Sequence, residues 1–178
     1  HVDKDSDIDE VLSRPAPEVV QALGGLEGDI IVLGAAGKMG PTLARMALRA
    51  SRAAGSRRRV IAVSRFGRPE VRARLESWGI ETVTCDLLDR GQVAKLPDAP
   101  GVVFMAGMKF GTSGQEELTW AENTLAPAHA CEKYSRSRIV AFSTGNIYGL
   151  APVPAGGSVE SDPLAPVAVP PESPGGAV

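Results

Sequence analysis

Gly34, Gly37 and Gly40 stand at three-residue spacing behind the apolar run Ile30-Ile-Val-Leu33. Glycine lets the backbone come close to what a side chain would hold off. Between a strand and a helix, such a turn aims free N–H groups and the positive end of a helix dipole at one point. A phosphate can sit there. A second candidate group is Ser64 with Arg65, just beyond the apolar run 60–63, with no acid nearby in sequence. A hydroxyl and a guanidinium suit a phosphate. A Walker-type loop is a poor fit: Gly34 to Lys38 is too short for it, and Lys38 is followed by Met39 in place of Ser or Thr.

The elements that must position these residues can be read from hydrophobic period. Four apolar residues, 30–33, form a buried parallel strand. Met39, Leu43, Met46, Ala47 and Ala50 then recur at helical spacing, with Pro41 in the first turn, where a missing N–H costs nothing. Residues 60–63 make a second strand, and 69–78 a helix stopped by Gly79. The third strand, 80–85, ends at Asp86-Leu87-Leu88-Asp89. Asp86 can accept from an adenine amino group or cap a helical turn over 88–96, and both roles stay open. A fourth strand, 101–107, closes in small residues that leave room for a flat ligand. A helix over 113–134 is interrupted by Pro127, which should kink or divide it. Residues 138–142 form a fifth strand. Strands alternating with helices give an α/β fold, a doubly wound parallel sheet with helices on both faces.

Composition narrows the function classes. The 178-residue chain carries a net charge of −2 and no apolar run long enough to span a bilayer, so neither bulk nucleic-acid binding nor membrane insertion is expected. A cytoplasmic protein is the default. Cys85 and Cys131 are expected as free thiols. Two histidines cannot build a His-rich metal site, and no metal is expected. Residues 1–28 are an acidic extension with short helices around 8–13 and 18–23, read as a solvated arm. From Arg45 to Arg74 there are ten arginines against one acid, Glu70, most of them read as a solvated helix face. Residues 151–178 hold seven of the fourteen prolines and read as a long loop or tail. The domain proper is therefore 29–150.

In dinucleotide-binding folds, an acid after the second strand takes the ribose hydroxyls, whereas an arginine accepts a 2′-phosphate. Ser64 and Arg65 therefore favour NADP over NAD. At this point the chain resembles the extended short-chain dehydrogenase/reductase family, the NAD(P)-dependent epimerases, dehydratases and related reductases. Gly34-Ala-Ala-Gly-Lys-Met-Gly40 resembles its GxxGxxG loop, so Ala36, Lys38 and Met39 join the three glycines as cofactor-binding candidates. Asp86-Leu87 resembles its adenine-binding pair. Phe104-Met-Ala-Gly107 takes the place of the strand-four cofactor segment, through Ala106 and Gly107. Asn123 resembles the asparagine of the next helix, and Ser143-Thr-Gly-Asn-Ile-Tyr-Gly149 the segment after strand five. The resemblance implies a Rossmann-like domain. It places Ser143 against the nicotinamide and Thr144, four positions before Tyr148, at the catalytic Ser/Thr position. Asn123 orders the site as support.

The same family carries its acid/base tyrosine in a YxxxK motif roughly 25 residues further on, where the lysine and cofactor lower its pKa. Here that count reaches Val169, and no tyrosine follows Tyr148 and no lysine Lys133. The expectation is an N-terminal part of a longer, NAD(P)-dependent oxidoreductase, epimerase or dehydratase acting on a hydroxyl or carbonyl carbon, inactive alone. The implied partner is a small-molecule substrate, a sugar or nucleotide-sugar in that family; a homodimer stays open. The alternative is a non-catalytic dinucleotide-sensing or protein-interaction module on the same fold.

Overall fold

The computed structural model describes residues 5–108, 114–149, 154 and 156–165. They fall into two units, His1–Ala141 and Phe142–Val178. The first holds a five-stranded, fully parallel sheet: β1 (Ile30–Leu33), β2 (Val60–Ser64), β3 (Glu81–Thr84), β4 (Gly101–Phe104) and β5 (Arg138–Ala141). Their order is β3-β2-β1-β4-β5. The chain reverses its direction of growth between β1 and β4, the place where ligands bind in doubly wound sheets.

Burial explains which runs became strands. All four residues of β1 are buried, because it is the central strand and both of its faces are covered. Alternate residues feed two cores. Ile31, Leu33, Ile61 and Val63 pack toward α5 (Arg90–Ala94) and α7 (Ala126–Lys133), through Val93, Ala126 and Ala130. Ile30, Val32, Val60 and Ala62 pack toward α3 (Gly40–Ala53) and α4 (Pro69–Ser77), through Ala44, Leu48, Val71 and Leu75. The outer strands β3 and β5 have no fully buried residue.

Helix α3 departs from the expected face. Its buried residues are Gly40, Pro41, Ala44, Ala47, Leu48, Ala50 and Ser51, while Met39 is exposed and Leu43 and Met46 are only partly covered. Small side chains seat this helix close to the sheet, which excludes methionine from the contact.

The N-terminal extension, read as a solvated arm, docks instead. Helices α1 (Asp5–Leu12) and α2 (Pro17–Gly24) lie against α3. Glu10 pairs with Arg45 (3.0 Å) and Arg49 (2.7 Å), and Asp9 with Arg74 (3.2 Å). Arg49 also donates to Oγ of the fully buried Ser13. Arg58 donates to the carbonyls of Leu23 and Leu26. Arg45 lies over the Trp78 ring at 4.7 Å. Several of the clustered arginines thus face carboxylates or carbonyls of the extension, not water alone. The hydrogen bond from Arg49 holds the Glu10 carboxyl below the usual glutamate range.

In the second unit, residues 145–148 form a 3₁₀ turn and residues 156–165 contain no helix or strand. Of the proline-rich stretch read as a loop or tail, residues 151–153, 155 and 166–178 lie outside the described residues. Among the described residues no helix is long and apolar enough to cross a membrane.

Candidate functional site

The turn after β1 uses its three glycines differently. Gly34 adopts φ +86°, and a Cβ there would stand 2.5 Å from the backbone nitrogen of Ala106. The glycine lets the ends of β1 and β4 approach. A Cβ on Gly40 would stand 2.2 Å from the Ala35 carbonyl oxygen, so this glycine seats the first turn of α3. Gly37 has neither constraint: its φ is not left-handed and the nearest atom to a Cβ would be 3.6 Å away. The protein itself makes no use of the missing side chain at 37. Helix α3 starts here without a capping side chain and without an acid in its first turn. Its first N–H groups are left for an anion.

A cavity of about 450 Å³ opens at the carboxyl ends of the strands. It is lined by Gly34 and Gly37, by Ser64 and Arg65 after β2, by Cys85, Asp86 and Leu87 after β3, and by Met105 to Met108 after β4. Leu118 and Glu122 close the remaining side. The structure therefore brings together eight of the residues singled out in the sequence: Gly34, Gly37, Ser64, Arg65, Asp86, Leu87, Ala106 and Gly107. Ala36, Lys38, Met39 and Gly40 belong to the same turn but do not line the cavity; Lys38 and Met39 are exposed. Arg68 braces the turn by donating to the Ala36 carbonyl at 3.3 Å.

Of the two roles open to Asp86, the helix cap falls to a neighbour. Asp89 caps α5 by accepting from the Gln92 N–H at 3.0 Å, with Gln92 Nε2 donating to its other oxygen. Asp86 stays at the cavity, one oxygen accepting from the Leu88 N–H at 3.0 Å. Burial, with Asp86 and Asp89 adding, pushes the Cys85 thiol up, so it is no thiolate near neutral pH.

The helix after β4 shows how Pro127 is absorbed. Helix α6 (Glu116–Trp120) runs into a π-helical turn, Ala121–Leu125, and then into α7. Pro127 cannot donate to the Asn123 carbonyl, and the turn widens, with the Ala126 N–H reaching the Ala121 carbonyl five residues back. The backbone stays right-handed helical through Trp120, Ala121, Leu125 and Ala126, so the helix widens and does not break. Asn123 lies in this turn. Its Oδ1 accepts from the Met108 N–H and its Nδ2 donates to the Met108 carbonyl, both at 3.1 Å. That reciprocal pair fixes the segment after β4, next to Ala106 and Gly107.

Sequence reasoning missed Glu122. Its carboxylate lies 3.1 Å from the Arg65 guanidinium, with the glutamate side chain 12% exposed and the arginine 62%. A signal existed. Glu122, Ala126, Ala130 and Tyr134 are all buried at four-residue intervals, and a lone glutamate on such a stripe is out of place unless paired.

Ser143 and Thr144 belong to the second unit. There the Thr144 carbonyl starts the 3₁₀ turn by accepting from the Ile147 N–H, and the Ile147 carbonyl accepts from the Ala165 N–H at 2.8 Å. Gly149 follows at φ +74°.

Comparison with known proteins gives a consistent picture. The model of the NAD dependent epimerase/dehydratase family matches residues 30–173. Among solved structures, the chain is similar to the Bordetella bronchiseptica enzyme WbmG in complex with NAD, at 22% identity and a TM-score of 0.60, over 80% of this chain and 45% of that one. It is similar to the Helicobacter pylori ADP-L-glycero-D-manno-heptose-6-epimerase at 18% identity and a TM-score of 0.60, over 82% and 46%. The Pseudomonas aeruginosa RhlG/NADP complex matches at 16% identity and a TM-score of 0.55, over 73% and 59%. The chain spans less than half the length of the first two. No curated protein matches it significantly.

Proposed function

From the premise that the chain belongs to the NAD dependent epimerase/dehydratase family, we propose that it is the cofactor-binding part of an oxidoreductase, epimerase or dehydratase. The cofactor is a nicotinamide adenine dinucleotide. The observation that carries this reading is Gly37, a glycine on the cavity wall whose missing side chain nothing in the protein itself requires. It leaves the backbone bare beside an uncapped helix N-terminus, a cradle that fits a diphosphate.

Each wall of the cavity then has a task. The amides of the turn and α3 hold the diphosphate, and Asp86 with Leu87 holds the adenine. Ser64 and Arg65 take a 2′-phosphate, which makes NADP the preferred form. Ala106 and Gly107 leave space for the nicotinamide, and Asn123 keeps that segment in place through Met108. When bound, the dinucleotide supplies or receives a hydride. In the second unit, the family pattern alone makes Thr144 the candidate to donate a hydrogen bond to a substrate oxygen as charge develops there, and Ser143 the candidate neighbour of a nicotinamide ring. Turnover in this reading needs a tyrosine–lysine pair that residues 149–178 do not contain. The substrate is a small molecule with a hydroxyl or carbonyl carbon, and a nucleotide-sugar is the class we favour. One neighbour of the same fold is described in complex with NAD and UDP.

The test is a titration of the purified chain with NADPH and NADH by calorimetry. NADPH binds more tightly, and Arg65→Ala narrows the gap. Equal affinities in the unmutated chain sink the NADP preference, and no binding of either sinks the cofactor site.

A further inference from the structure

Resting on the dinucleotide reading above, we infer that Glu122 sets the balance between the two cofactor forms by holding Arg65. The ion pair crosses the cavity: Arg65 leaves the end of β2, and Glu122 reaches over from the π-helical turn beyond β4. The two partners are unequal. Arg65 is mostly in water, whereas Glu122 is buried on the helix face that carries Ala126, Ala130 and Tyr134 into the core. A carboxylate there has lost most of its hydration and depends on its guanidinium partner.

The consequence for selection is direct. A guanidinium is the group best suited to a phosphate, since it presents several donors in one plane. A 2′-phosphate that enters the cavity must draw those donors from Glu122. A 2′-hydroxyl makes no such demand and leaves the ion pair intact. Glu122 therefore acts as a positioning residue: it tempers the NADPH preference that Arg65 alone would give, and it does so through Arg65. Phe66, the one non-glycine residue with positive φ among the described residues, turns the chain immediately after Arg65 at φ +47°. Its ring is buried in the core, so the arginine leaves a fixed point of backbone.

The experiment is a cycle of Glu122→Gln, Arg65→Ala and the double variant, each titrated with NADPH and with NADH. Glutamine keeps the size and removes the charge, and a melting curve of each variant confirms folding. Glu122→Gln raises the NADPH to NADH affinity ratio by about fivefold, in the range of a partly screened charge pair, with NADH affinity within about twofold of the unmutated chain. In the Arg65→Ala background the same change shifts the ratio by less than about twofold, because the two residues act as one unit. A ratio unmoved by Glu122→Gln in a chain that binds both cofactors overturns this inference and leaves the cofactor site standing. So does an effect of full size without Arg65, which would mean plain repulsion. Failure to bind either cofactor removes the site reading, and this inference with it.

Discussion

Gly37→Ala and Gly40→Ala, three positions apart in one turn, should fail in opposite ways. At Gly40 the added methyl would stand 2.2 Å from the Ala35 carbonyl oxygen and 2.6 Å from its carbon. Both are backbone atoms that no rotamer change can move. Helix α3 must shift off the turn, an overpacking cost of about 1–3 kcal/mol. For a domain of this size each kcal/mol lowers the melting temperature by about 2–4 °C. A fall of about 2–12 °C follows from the product of the two ranges. At Gly37 the nearest atom is 3.6 Å away and φ is ordinary, so alanine fits. Alanine there restricts the unfolded chain and adds about 0.4–1 kcal/mol of stability. Gly37 lines the cavity, and in the proposed reading the added methyl holds a diphosphate away from the turn's amides. Loss of that contact lowers NADPH affinity at least about tenfold, equivalent to about 1.4 kcal/mol. The assays are a thermal melt without ligand and calorimetric titration with NADPH. A Gly37→Ala chain that binds like the unmutated one refutes the diphosphate argument. One that melts well below it refutes the claim that the fold leaves this position unconstrained.

Asn123→Ala removes both hydrogen bonds to Met108, worth about 1–3 kcal/mol together. Faster hydrogen exchange at the Met108 amide, without global unfolding, is the expected mark. Glu10 gives a pH dependence: its folded carboxyl sits below its usual value, so its contribution is present at neutral pH and is lost as pH falls through the lowered value. Limited proteolysis should therefore cut the N-terminal extension faster in acid, and in Glu10→Gln already at pH 7. Iodoacetamide near pH 8 should label the exposed Cys131 and spare the buried Cys85 until the chain unfolds, read by mass spectrometry.

What could be read from the sequence was local. The runs 30–33 and 60–63 announce strands covered on both faces, and the glycine spacing announces the turn, because both signals lie within one element. The docking of the extension was hidden because Asp9 and Glu10 meet Arg45, Arg49 and Arg74 only once α1 lies on α3. A charge count cannot distinguish a solvated arginine from one awaiting a distant carboxylate. Asp86 and Asp89 are both plausible caps by type, and the choice depends on where α5 begins. Arg65 looked unopposed for the same reason: its acid arrives from a helix on the far side of the sheet's switch point. Met39, just before α3, and Met46 within it fit the helical period but not the depth available beside the sheet, which only packing reveals.

The widened turn at Ala121–Leu125 has a consequence for how this helix tolerates its proline. An α-helix advances about 100° per residue, and this turn accommodates one residue more than a regular helix would. Because the extra residue is taken up inside the turn, a deletion of one residue between Asn123 and Pro127 would close it to a regular α-helix with Glu122 still on the cavity side, and would set the proline ring against the carbonyl four residues back. The wide turn thus lets a proline sit in mid-helix while the charge upstream and the apolar stripe downstream keep their separate faces.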